Sequence, residues 1–209
     1  PAAPVPPPPP EPGRATVSRS VLTIAGVAAA ILILMIVVIL IAKDPADDGS
    51  GESPPAAELA AQADVEVPGT APDGVDSAGN TVGYGAANLV DGDPSTAWRV
   101  EGDASGKEVV LTLPAARTIT EVGIVNGYAK VDDASGDRRY GENRRVLAVT
   151  WIFDDGTEAS YALEETVEPQ VFALDAPVET TTVRVRLDEV SDPGGRDFTA
   201  IGELSLTGR

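Results

Sequence analysis

The 209-residue sequence carries 33 acidic against 15 basic side chains, a formal net charge of −18, and contains neither cysteine nor histidine. These absences exclude disulfide staples, thiolate or imidazole metal sites, and serine–histidine or cysteine–histidine relays, leaving only oxygen ligands for a metal. The acidic balance argues against nucleic acid as a partner, because phosphate binding needs clustered positive charge; solubility of an exposed domain explains it.

Residues 1–20 read as a Pro-rich tail. Eight prolines lie between Pro1 and Gly13, a composition that favours extended polyproline II and removes the donors a helix or sheet needs. A stiff spacer is the plain reading and an SH3-type ligand the alternative. The sequence opens on Pro and holds its single Met, Met35, inside an apolar run, so it reads as the C-terminal part of a longer chain.

Residues 21–42 contain no charge and are dominated by Ile, Leu, Val and Ala. As a helix rising about 1.5 Å per residue they cover the roughly 30 Å hydrocarbon core of a bilayer. The run is longer than the apolar region of a signal peptide. Arg14 and Arg19 precede it, whereas Asp44, Asp47, Asp48 and Glu52 follow Lys43. Basic residues stay on the cytoplasmic side. The expectation is therefore a single-pass plasma-membrane protein with a cytoplasmic N-terminus and an extracellular C-terminal domain. Residues 43–62, rich in Asp, Gly, Ser, Pro and Ala, lack the bulky apolar groups that offset ordering entropy and read as an acidic flexible stalk, with a short helical stretch possible through Glu58–Gln62.

From residue 63 to residue 209 short β-like runs alternate with Gly, Pro and Asp turns, the pattern of an all-β sandwich. Strands are expected at Val109–Leu113, Ile119–Asn126, Val146–Phe153, Thr157–Leu163, Val171–Leu174 and Ile201–Thr207. Val183-Arg184-Val185-Arg186-Leu187 alternates cleanly, with aliphatics facing a core and arginines facing water. Val146–Phe153 is apolar on both faces apart from Thr150, as a covered central strand requires. Asp155-Gly156 then supplies a hairpin turn.

The segment Tyr84-Gly85-Ala86-Ala87-Asn88-Leu89-Val90-Asp91-Gly92-Asp93-Pro94-Ser95-Thr96-Ala97-Trp98 joins a tight acidic turn to an aromatic that is costly to expose. Oxygens of Asp91, Asp93 and Thr96, with freed backbone carbonyls, have the spacing of a hard-cation site suited to calcium; an ordinary turn has the same sequence. Together with Ile201-Gly202-Glu203-Leu204-Ser205-Leu206, this segment resembles the discoidin-like, coagulation factor C-type galactose-binding superfamily. Val122–Lys130, Asn143-Arg144-Arg145-Val146 and Phe153-Asp154-Asp155-Gly156 are most similar to the bacterial NADase-type glycan-binding domain.

The resemblance implies a jelly-roll sandwich of about residues 63–209 whose loops at one end bind sugar. It implies a structural calcium at the acidic turn, with Glu203 closing the shell, and a core position for Trp98. Tyr128 and Tyr140 flank a polar loop, Ala129–Asn143, that contains Lys130 and Arg138. Aromatic faces and planar polar groups are what sugar recognition uses. The candidate ligand residues are Asn126, Tyr128, Lys130, Arg138, Tyr140 and Asn143; for the two asparagines the alternative is that they hold the loop's backbone. The paired carboxylates Asp132–Asp133 and Asp154–Asp155 lie side by side in turns rather than facing each other across a sugar, so glycoside hydrolysis is not expected. The expected function is a non-catalytic extracellular module for glycan or cell-wall carbohydrate. The alternative is the ectodomain of a signalling or structural protein that binds a protein partner.

Overall fold

A computed structural model describes residues 55–132 and 134–209, so the expected tail, transmembrane helix and most of the stalk lie outside the described residues. Among the described residues no helix is long and apolar enough to cross a membrane. Among the described residues eleven strands follow one another: β1 Ala57–Glu58, β2 Asp64–Glu66, β3 Gly74–Val75, β4 Thr81–Val82, β5 Trp98–Glu101, β6 Glu108–Val125, β7 Val146–Phe153, β8 Glu158–Ala162, β9 Gln170–Val190, β10 Phe198–Ile201 and β11 Glu203–Gly208. Three short 3₁₀ turns, Ala60–Gln62, Ala86–Leu89 and Tyr140–Glu142, are the helical elements among the described residues.

Two long strands build both layers. The first part of β6 pairs with β2 and with the last part of β9, which also pairs with β7; the second part of β6 pairs with β11 and the first part of β9. The change of neighbours falls where the register skips from Thr112↔Thr182 to Arg117↔Thr180. Pro114 sits in that skip and has no N–H for the ladder, so the strand turns a corner there. The sequence pattern reads two strands on either side of this break; the backbone carries one strand through it.

The layers share one core. Val109, Leu111, Val149, Trp151, Val183, Val185 and Leu187 come from one, and Ile119, Val122, Ile124, Leu204 and Leu206 from the other. The alternation at 183–187 holds, with Arg184 and Arg186 outside. β7 is covered on both faces: Thr150 is buried and donates to Asp188 Oδ2 at 2.6 Å. The β7–β8 hairpin turns through Gly156 at φ +84°, a left-handed value that favours glycine.

The folded unit begins before residue 63. Ala57 and Glu58 pair with Gly208 and Thr207, and Leu59 and Ala60 are buried in the main core. The edge of β11 supplies the backbone partners that the composition of this stretch does not reveal. At one end of the sandwich, β5 and β10 pair antiparallel, with Ala200 opposite Arg99. A small second core of Ala71, Tyr84, Ala97, Tyr128 and Ala200 lies there, with Val82 and Phe198 packed against it.

Candidate functional site

A cleft lies over this second core, lined by Val75, Asp76, Val82, Tyr84, Arg99, Tyr128, Lys130, Asp132, Arg139, Asn143 and Arg196. β5 positions its centre. Trp98 and Val100 point into the main core, and alternation turns Arg99 between them towards the cleft. Trp98 is fully buried and its indole N–H donates to Gly69 O at 2.8 Å, a packing role that matches the expectation.

Arg99 is only 4 % exposed. Its Cζ lies 4.2 Å from the ring centroids of both Tyr84 and Phe198. Ala200 stands opposite it on β10, and its small side chain leaves room for the guanidinium. Burial lowers the Arg99 pKa, opposed by the Tyr84 hydroxyl. Tyr84 in turn meets Tyr128 edge to face at 6.1 Å. Burial pushes the Tyr128 phenol up to about 12, so it stays protonated.

The loop from residue 129 to residue 143 forms the cleft's other wall, and buried polar groups fix its shape. Asp132 accepts the Ser77 hydroxyl and Arg139 Nη2, the latter at 3.1 Å. The Ser77 hydroxyl, more than Arg139, holds the Asp132 carboxyl well below the usual carboxylate range. Arg139 also grips Glu142 through Nη1 at 2.9 and 3.0 Å, and Arg196 Nε donates to Glu142 at 3.1 Å. Asn143 Nδ2 donates to Arg139 O at 2.8 Å, while its Oδ1 is buried without a partner.

Of the residues singled out in the sequence, Tyr128, Lys130 and Asn143 come together in the cleft. Arg138 is exposed, bridged through its backbone to Val131, and does not line it. Asn126 and Tyr140 sit outside the lining and bond to each other. The sequence reading left out Tyr84, Arg99 and Arg196 as ligand candidates, and placed Arg139 in the polar loop without singling it out. Arg99 did carry one signal, a basic residue between the apolar Trp98 and Val100.

At the acidic turn, Thr96 Oγ1 lies 2.9 Å from Asp91 Oδ2 and 3.0 Å from Asp93 O. Glu203 Oε2 is buried without a partner. Burial pushes the Glu203 carboxyl up to about 7; the negative charges of Asp91, Glu58 and Asp93 add to the shift and the Gly92 N–H opposes it. Among the described residues no group of three or more Asp or Glu converges tightly enough to hold a metal by itself. The orphaned Glu203 oxygen and the nearby Asp91 and Asp93 carboxylates are oxygen donors of the kind calcium takes.

The family model described as the NAD glycohydrolase translocation F5/8 type C domain matches residues 72–207. The chain belongs to this family. Among solved structures, this F5/8 type C domain is similar to the family 32 carbohydrate-binding module of Clostridium perfringens NanJ in complex with galactose. The two share 18 % identity at a TM-score of 0.51, over 73 % of this chain and 98 % of that one. A second C. perfringens module, solved with GalNAc-β-1,3-galactose, is 14 % identical at a TM-score of 0.49, covering 72 % of this chain and 99 % of that one. An F5/8 type C domain from Bacteroides fragilis is 15 % identical at a TM-score of 0.48, covering 75 % and 99 %. No curated protein matches the sequence. At 18 % identity the likeness to the NanJ module establishes the discoidin-like sandwich and nothing finer. Within the F5/8 type C domain, Asp154 Oδ2 accepts the backbone N–H groups of Thr181 and Thr182 at 2.7 and 3.0 Å, a structural use of a carboxylate the sequence left open.

Proposed function

We propose that this F5/8 type C domain is a non-catalytic carbohydrate-binding module that takes glycan or cell-wall carbohydrate in the Arg99 cleft. The observation that carries this reading is the convergence, at one end of the sandwich, of two tyrosine rings with the planar polar groups of Arg99, Arg139 and Asn143. Rings with fixed planar hydrogen-bonding groups supply what a sugar presents, an apolar face edged by hydroxyls. The apolar, charge-free run at residues 21–42 supports tethering at the plasma membrane with the domain outside and the N-terminus cytoplasmic. Calcium at Asp91, Asp93, Thr96 and Glu203 would brace the turn that leads into β5, and so the strand carrying Arg99.

The test is a glycan and cell-wall-fragment binding screen on Ser53–Arg209, a compact unit with its own core. Wild type is compared with Tyr84→Ala and Arg139→Ala. Saturable binding that both substitutions weaken supports the cleft. Absence of binding by the folded domain would overturn it in favour of an ectodomain that binds a protein partner.

A further inference from the structure

Two orphaned groups share the cleft, and they are opposite in kind. Arg99 Nε is buried and donates to nothing, and none of the ion pairs among the described residues includes Arg99. Asn143 Oδ1 is buried and accepts from nothing. Its amide orientation is fixed, because Nδ2 must face the Arg139 carbonyl it donates to at 2.8 Å. A fold tolerates few such atoms, and one buried donor and one buried acceptor on residues that line a single cleft call for a ligand that completes both.

The aromatic contacts do not satisfy Arg99. Tyr84 and Phe198 attract the guanidinium through their ring faces and the Tyr84 hydroxyl bears on one edge of it, but Nε–H lies in the guanidinium plane and needs an acceptor there. A carboxylate or phosphate meets that fork in bidentate fashion. The other arginines around the cleft are already paired. Arg139 is paired with Asp132 and Glu142, and Arg196 with Glu142. Asp76 accepts the Ala78 and Asn80 backbone N–H groups at 3.0 and 2.8 Å and Asn80 Nδ2 at 3.1 Å. Arg99 and Lys130 remain the cleft cations without an ion pair among the described residues. In a chain of net charge −18 this is a local reversal of sign.

We propose that the cleft selects a hydroxylated anion, an acidic sugar whose carboxylate or phosphate sits on Arg99 while one of its hydroxyls donates to Asn143 Oδ1. This rests on the carbohydrate reading above and narrows it. Lys130, half-exposed at the rim, draws the anion in, and the acidic surface around it repels anions that approach elsewhere.

The experiment is calorimetric titration of the full chain in detergent, with Ser53–Arg209 in parallel. Four probes are used: a galacturonate oligosaccharide, the matching neutral galactose oligosaccharide, galactose phosphate, and inorganic phosphate or acetate alone. The acidic sugars are expected to bind at least about tenfold tighter than the neutral one. Arg99→Met, which keeps the apolar stem and removes the charge, is expected to weaken acidic-sugar binding more than neutral binding and so to abolish that difference. The carboxylate and phosphate arms show which anion is preferred. Equal binding of neutral and acidic sugars would overturn the proposal and leave the carbohydrate reading standing. So would unchanged acidic-sugar affinity in a folded Arg99→Met. Acetate or inorganic phosphate binding as tightly as the sugars would overturn the role of Asn143. Binding of no probe at all would overturn both readings together. Should Arg99→Met fail to fold, Lys130→Ala and the salt dependence of wild-type affinity decide, with a flat salt response counting against the proposal.

Discussion

Asn126 Oδ1 accepts the Tyr140 hydroxyl at 3.0 Å, while the same amide donates to Val146 O at 2.7 Å and Glu164 O at 3.0 Å. One fully buried side chain thus ties the end of β6 to the start of β7, to the segment after β8 and to the 3₁₀ turn at Tyr140. Asn126→Ala leaves two carbonyls and a phenol without their partner and is expected to destabilise the domain by about 2–4 kcal/mol. Tyr140→Phe loses one bond and costs about 1 kcal/mol. Urea denaturation measures both. Ligand affinity of Tyr140→Phe is expected to match wild type; a large loss would place the phenol in the binding site after all.

Gly74 lies against Tyr84. A Cβ there would stand 2.7 Å from the Tyr84 hydroxyl and 3.3 Å from its ring. Gly74→Ala must therefore tilt the ring that covers Arg99. Weaker ligand binding, by up to about tenfold, is expected with a smaller loss of melting temperature. Adding Tyr84→Phe removes the clashing oxygen, so the double variant should recover melting temperature relative to Gly74→Ala; a purely additive loss would show that the clash is relieved elsewhere.

Asp132 gives the stability curve an acid limb. Its carboxylate form is favoured in the folded state by Ser77 first and by Arg139. A depressed folded pKa means that the unfolded chain binds the extra proton, so this contribution is complete above the unfolded value of about 3.9 and fades as pH falls. Asp132→Asn should lower the melting temperature at neutral pH. It should also flatten the wild-type decline between about pH 4 and pH 2. Parallel declines in the two proteins would mean that other carboxylates set the acid limb.

Calcium is expected to raise the melting temperature of wild type, approaching about 2.7 kcal/mol of stabilisation at a hundred times its dissociation constant. Asp91→Asn and Thr96→Val should blunt that shift. Magnesium should not reproduce it, because it demands a tighter octahedral shell. A wild-type melt that is indifferent to millimolar calcium and to chelator would remove calcium from the turn.

Local rules account for much of what could be read in advance. Period-two alternation at 183–187, the covered strand 146–153, the Asp155-Gly156 turn and the buried Trp98 each depend on neighbours within a few residues, so the linear pattern carries them. The single strand that turns a corner at Pro114 was not legible, because a proline and two alanines look the same whether a strand ends or bends. Leu59 and Ala60 were read with the stalk for a related reason: their burial depends on β11, almost 150 residues away.

The sequence by itself determined the sandwich, its family and the stretch that holds the acidic turn, since these follow from hydrophobic period, turn chemistry and a contiguous motif. Only the tertiary structure decided which polar residues meet. Tyr84, Arg99, Tyr128, Asn143 and Arg196 come from five separate segments brought to one end of the sandwich. The same packing drew Asn126 and Tyr140 into the scaffold. A side chain's role here depends on whether its polar atoms are already satisfied, and that is settled by contacts between segments far apart in the chain.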